Sequence, residues 1–317
     1  MLAVLEVTLP VFALVFCGYV AAGRRMLPEK AVEGINAFVF RFALPAMLFR
    51  VVALRPIGEL IDWRYTIGYV LAALGVYLLV YRMARRGRLG APPADGAHAA
   101  ALSLHITHGN IGYLGIALIA EVSAKALPTV ALTIILDIVV IVILSMVLME
   151  LQRGRERGAG SRSSPWVPVF ASLARSPLVL AIAAGLVVSV FGWSLPSVVD
   201  NFTRLLGGAA GPGALFAIGA ALGGQRLRID REIGALIAAK LVLYPVAVAL
   251  SLYLVFRPDP FVAAIGVLCA AMPGASNSFI IAERYGVPTA AISAAIAAGT
   301  AVSVLTISLT IWLLGLR

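Results

Sequence analysis

Apolar residues in this chain run in ten long stretches, and polar ones gather in the short gaps between them. The stretches fall at residues 2–22, 32–54, 65–82, 98–120, 127–150, 167–191, 197–223, 233–256, 260–283 and 288–315. A hydrocarbon core of about 30 Å takes roughly 20 helical residues to cross, so the pattern predicts ten transmembrane helices. Backbone groups find no water in that core, which leaves self-bonded helices as the form such runs take. The fourth, seventh and ninth stretches hold Gly, Pro or Asn near their middles and are the least regular.

The pattern also repeats. Shifted by 167 positions without gaps, the sequence lays Pro10 on Pro177, Gly18 on Gly185, Pro45 on Pro212, Tyr77 on Tyr244 and Asn110 on Asn277. Matching Leu on Leu means little in a chain that is 61% hydrophobic, but helix-breaking and polar residues coincide far less readily by chance. Two units are expected, residues 1–151 and 166–317, joined by a Gly/Ser- and Arg-rich linker at 152–165. With five spans each, the second unit must enter the bilayer upside down, which is the inverted-repeat plan of many secondary transporters. The expected fold is therefore an all-α membrane protein of two inverted five-helix repeats.

Charged residues make up only 13% of the chain, against roughly 25% in a soluble domain. The formal net charge is +10, and its placement argues for a membrane rather than a nucleic-acid partner. With the N-terminus outside, and with Arg50, Arg82, Arg175 and Arg204 counted with the side that their end of the span faces, 16 of the 25 Lys and Arg are cytoplasmic and 7 lie on the opposite side, while Arg41 and Lys240, within spans, are counted with neither. That asymmetry follows the positive-inside rule and predicts N- and C-termini outside, with the linker in the cytoplasm. A bacterial inner membrane is the simplest location. A signal peptide would carry positive charge before its apolar run, whereas Glu6 comes first here and Arg24 and Arg25 follow, so 2–22 reads as a span. Cys17 and Cys269 lie inside spans, where they read as packing residues.

Broken helices are tolerated in lipid only where protein or a watery cavity covers the break. The fourth stretch carries Ser103, His105, Thr107, His108, Gly109, Asn110, Gly112 and Gly115; the ninth carries Pro273, Gly274, Ser276, Asn277 and Ser278. Glycines loosen the first, and Pro273 removes a backbone donor from the second. Equivalent breaks in two repeats expose half-helix N-termini, which suit an anion, beside Asn side chains that both donate and accept. Thr107, Gly109, Asn110, Pro273, Ser276, Asn277 and Ser278 form the candidate substrate site. Membrane helices also use Gly, Asn and Ser simply to pack against one another, so the weight rests on the pairing of the breaks.

Asp137 stands at the centre of the fifth stretch, with Thr133 and Ser145 on its helix face. A carboxylate there costs about 2.5–3.5 kcal/mol on insertion scales, which marks it either as a coupling group for protons or cations or as a hydrogen-bonded packing residue. His105 and His108 join it as candidate ion-coupling groups. They are also the strongest case for a metal-dependent enzyme, but a hydrolytic zinc site wants a third protein ligand and a base, and the only other histidine is His98. No metal, cofactor or catalytic residue is expected, and no phosphate-binding loop of the ATPase type is present. Lys240, about seven residues into its span, is expected to snorkel to the interface. Arg41, about ten residues in, either pairs with Asp137 or faces the substrate.

Taken in order, several segments resemble the auxin efflux carrier family, whose bacterial members are often described as malonate or malate permeases. They are Asn36 to Phe49, Gly109 to Gly115, Ser176-Pro177 with Gly185, Lys240 to Pro245, and Met272 to Gly286. The likeness covers nearly the whole chain. It implies a fold similar to bile-acid symporters and sodium–proton antiporters, with a scaffold from spans 1, 2, 6 and 7 and a transport core from spans 3–5 and 8–10. It also implies that spans 4 and 9 cross, with Asn110, Asn277 and Pro273 at the crossover and substrate beside it, in an elevator-like cycle. The chain departs from the pattern in having no proline in the break of span 4 and no charge in residues 65–81.

The expected function is a secondary carrier of a small organic anion, with coupling to a proton or sodium ion and a homodimer both left open. A sodium- or proton-coupled carrier of a neutral or sterol-like solute on the same fold is the alternative, and a metal-binding membrane enzyme is a more distant one.

Overall fold

The structure is a computed structural model that describes residues 2–54, 62–156, 174–175, 177–222 and 229–316. Its described elements are helices, labelled here in chain order: α1 (Leu2–Gly23), α2 (29–53), α3 (Trp63–Arg85), α4 (Gly96–Thr107), α5 (Ile111–Val122), α6 (127–156), α7 (Pro177–Val190), α8 (Ser197–Gly208), α9 (Ala210–Leu222), α10 (Arg231–Phe256), α11 (Pro260–Ala270), α12 (Ser276–Arg284) and α13 (Ala290–Leu313). Among the described residues, five helical segments are long and apolar enough to cross a membrane, at 30–53, 63–85, 124–152, 231–256 and 290–313. Shorter apolar helices lie at 13–23, 111–122, 177–190 and 260–270. The expected linker at 152–165 is helical as far as Glu156, and the rest of it lies outside the described residues, as does most of 167–176.

The outer faces are apolar. Leu71, Leu78 and Leu79 of α3 are about half exposed, while Tyr65, Tyr69 and Tyr77 of the same helix are buried. That polarity is the reverse of a soluble helix and suits a helix whose solvent is lipid.

Several long helices contain a wide π-type turn: at Val39–Ala43 in α2, Asp137–Val142 in α6, and Ala239–Leu243 and Ser251–Phe256 in α10. Two of these turns come just before a proline, Pro45 or Pro245. A proline lacks the N–H that the preceding turn needs, and its ring clashes with the carbonyl four residues back; a wide turn absorbs the mismatch without ending the helix. The same turns hold Arg41, Asp137 and Lys240, each inside an expected span.

Two hydrophobic clusters organise the interior. Among the described residues, the buried members of one lie at 65–149 and 233–295 and include Tyr69, Tyr77, Leu104 and Tyr244. The second joins α2, α5, α7 and α9 to parts of α6, α11 and α13. Glycines permit very close helix approaches. A Cβ on Gly18 of α1 would lie 2.0 Å from the Phe216 carbonyl oxygen of α9, and one on Gly185 of α7 would lie 2.8 Å from the Phe49 carbonyl oxygen of α2. These two contacts correspond under the 167-residue shift, since Gly18 matches Gly185 and Phe49 matches Phe216.

Candidate functional site

Helix α4 stops at Thr107 because His108 turns extended (φ −111°, ψ 103°), and α5 begins only after Gly109 and Asn110. Helix α11 stops at Ala270, and Pro273 prevents its continuation by withholding a donor and restricting Met272 before it. The two breaks lie against one another. Gly109 and Gly274 form an antiparallel backbone pair; the Asn110 N–H donates to the Pro273 carbonyl at 2.7 Å, and the Ala275 N–H to the His108 carbonyl at 3.2 Å. Backbone groups released by each break are thus taken up by the other, as a dry interior requires.

Beside this crossing lies a cavity of about 700 Å³, within the roughly 300–1,000 Å³ of small-molecule sites. His108, Gly109, Asn110, Ser276 and Asn277 form one wall. Asn36, Ala37, Phe40 and Arg41 of α2 line it as well, and Asp137, Ser293 and Thr300 add polar groups from α6 and α13. Helices α5 and α12 both start at the crossing, so their first N–H groups have no partner within the helix and their positive dipole ends meet there. Among the described residues, the side-chain amides of Asn36, Asn110 and Asn277 and the Arg41 guanidinium form no hydrogen bond or ion pair.

Behind the wall runs a buried polar chain. Asp137, fully buried, places Oδ2 3.3 Å from His108 Nδ1 and accepts at Oδ1 from the Tyr69 hydroxyl at 3.1 Å. Tyr244 donates to the Tyr69 hydroxyl at 2.9 Å. Lys240 Nζ lies 4.6 Å above the Tyr244 ring and donates to the Ala270 carbonyl at 3.2 Å. The hydroxyls of Tyr65 and Thr133 pair nearby.

The structure brings Gly109, Asn110, Ser276, Asn277, His108 and Asp137 around one cavity. Other expected site residues lie off it. Thr107 and Ser278 are fully buried and donate to backbone carbonyls, those of Ser103 and Ala275, at 2.8 and 2.7 Å. Pro273 contributes its carbonyl to the crossing. His105 packs where a Cβ on Gly274 would stand, with its Nδ1 buried and unpartnered. The helix ends between His105 and His108, so the two rings do not share a turn.

Lys240 corrects an expectation. It does not snorkel; it is 2% exposed, because the wide turn at 239–243 faces it inward onto Ala270 and Tyr244. Arg41 faces the cavity rather than pairing with Asp137. The sequence reading missed Asn36, Tyr69 and Tyr244. In the sequence, Tyr244 is marked only by its match to Tyr77 in the repeats, which does not pair it with Tyr69.

A family model described as membrane transport protein matches residues 3–312. The chain is 32% identical over 315 residues to a Rhizobium meliloti (strain 1021) protein named "Putative malonate transporter", covering 96% of this chain and 94% of that one. It is 26% identical over 310 residues to the "Uncharacterized transporter YfdV" of Escherichia coli (strain K12), at 96% and 95% coverage. A mouse "Lysosomal cholesterol signaling protein" is 21% identical over 319 residues, which take in 96% of this chain and 36% of that longer one.

Proposed function

The chain belongs to the membrane transport protein family, the auxin efflux carriers, and from that premise we propose that it is a secondary carrier of a small organic anion. The observation that carries this reading is the pair of unpartnered amides, Asn110 and Asn277, at two helix starts that meet beside one cavity. A carboxylate entering there meets amide N–H donors from both breaks, and the helix dipoles offset its charge. The name of the Rhizobium relative, a transporter of a carboxylate, agrees with this chemistry. Arg41 and three amides favour an anion over a sterol-like solute. The protein works as a carrier, without chemical conversion of what it binds.

The coupling ion is a proton, held by the Asp137–His108 pair. Both Asp137 oxygens face groups that bond through hydrogen, a histidine nitrogen and a tyrosine hydroxyl. A hard cation would want a shell of oxygen ligands instead.

The architecture is ten spans in two inverted repeats, 1–151 and 166–317, with both termini outside a bacterial inner membrane. The matched close contacts of Gly18 with Phe216 and Gly185 with Phe49 support the repeat. The cluster whose buried members lie at 65–149 and 233–295 supports a transport core of spans 3–5 and 8–10. That core slides against a scaffold of spans 1, 2, 6 and 7 in an elevator-like cycle.

The test is uptake of labelled carboxylates into proteoliposomes under imposed proton or sodium gradients, comparing the parent with the Asn110→Ala, Asn277→Ala double variant. Saturable uptake driven by protons and lost in the folded variant is expected. Equal uptake by parent and variant would remove the crossing as the site.

A further inference from the structure

The crossing accounts for one end of an anion. The α2 side of the cavity has its own chemistry: Asn36, Ala37, Phe40 and Arg41 line it together, and the wide turn at Val39–Ala43 sets the place of Arg41. Its neighbours two residues away, Val39 and Ala43, are fully buried, while Arg41 itself is exposed. Phe40 stacks on Tyr113 of α5, with ring centroids 6.0 Å apart and planes within 8°, which pins the α2 wall to the start of the broken helix.

An arginine inside a span is costly and ordinarily has a partner. Among the described residues Arg41 has none. Asp137, the acidic residue lining the same cavity, is committed to His108 and Tyr69. A planar fork of donors without a carboxylate of its own is matched to one that arrives with the ligand.

We propose that Arg41 is the specificity-determining residue that receives the second carboxylate of a short aliphatic dicarboxylate, whose first carboxylate sits at Asn110 and Asn277. This rests on the anion-carrier reading above. The two carboxylates would meet the crossing and α2, and Ile111, Ile134 and Ile138 supply apolar lining for the carbon between them. Asn36, from the same face of α2, supplies an amide beside the guanidinium.

The experiment uses the full chain in proteoliposomes. Labelled malonate is the probe, and unlabelled malonate and its monoamide, which has nearly the same shape and one charge fewer, are the competitors. In the parent the dicarboxylate should compete better than the monoamide by about tenfold or more, the worth of a charge-assisted contact. Arg41→Gln should bring the two within about twofold, and Arg41→Lys should keep the dicarboxylate ahead. Because the ratio is internal to each preparation, the amount of folded protein cancels. Asn36→Asp, which hands Arg41 a carboxylate of its own, should lower the ratio as well and serves if Arg41→Gln does not fold. A parental ratio preserved in Arg41→Gln, or in Asn36→Asp where Arg41→Gln does not fold, would overturn the assignment and leave the carrier reading standing. So would a parent that treats the two competitors alike. A parent that takes up neither malonate nor any other carboxylate would overturn both.

Discussion

The crossing depends on Gly274 having no side chain. A Cβ there would sit 2.2 Å from Cε1 and 2.6 Å from Nδ1 of His105. Ordinary contact begins at 3.4 Å, so the imidazole would have to retreat by about 1.2 Å. His105 is 1% exposed, and Gly274 is held by backbone pairing to Gly109, so neither has room to yield. Overpacking of this kind costs about 1–3 kcal/mol. Gly109→Ala should cost less, since its Cβ would meet the Cys269 carbonyl at 3.2 Å and Lys240 Nζ at 3.3 Å. Gly112→Ala should cost little, because nothing lies within 4 Å of it. Cys269 is fully buried next to the crossing and reports its opening; Cys17 is exposed and is removed by Cys17→Ser. The assay is the temperature at which a thiol-reactive dye reaches Cys269 in purified protein. The expected order of destabilisation is Gly274→Ala, then Gly109→Ala, then Gly112→Ala, with His105→Ser restoring part of the loss in Gly274→Ala. A Gly274→Ala protein as stable as Gly112→Ala would refute the reasoning.

Two further outcomes follow from other contacts. Asp137→Asn preserves an acceptor for Tyr69 but cannot hold a transportable proton, so gradient-driven uptake should drop to the level seen without a gradient while solute exchange persists; unchanged gradient-driven uptake would sink the coupling role. Gly219→Ala would drive its Cβ to 1.7 Å from the Val15 carbonyl oxygen, a main-chain atom that cannot rotate aside. That exceeds the ~1–3 kcal/mol of ordinary overpacking, and size-exclusion chromatography should show loss of the monodisperse protein, whereas a normal elution profile would argue against the tight α1–α9 contact.

The helices were legible because a bilayer imposes a length and a polarity on every crossing segment, and the breaks were legible because Gly109, Asn110, Pro273 and Gly274 are poor helix residues at matching places. Helical phase is lost at those breaks. Ser103 and Thr107 share a face with Asn110 only if the helix continues, and it ends at Thr107, so the asparagine reaches the cavity while the two hydroxyls bond to their own helix. Lys240 was misjudged for a related reason: depth along a span can be counted, but the direction a side chain takes after a wide turn cannot. The tyrosine pair behind Asp137 joins α3 to α10 across 175 residues, a contact that no local pattern carries.

Among the described residues, the hydrogen bonds that join the two broken helices run between main-chain atoms, Asn110 to Pro273 and Ala275 to His108. A joint of that kind is indifferent to most side chains around it. Residues at the lip of the cavity are therefore free to change under selection without loosening the hinge pin that ties the halves together, provided Gly109 and Gly274 stay small. New ligands become accessible by substitution at the wall, and the machinery that carries them stays as it was.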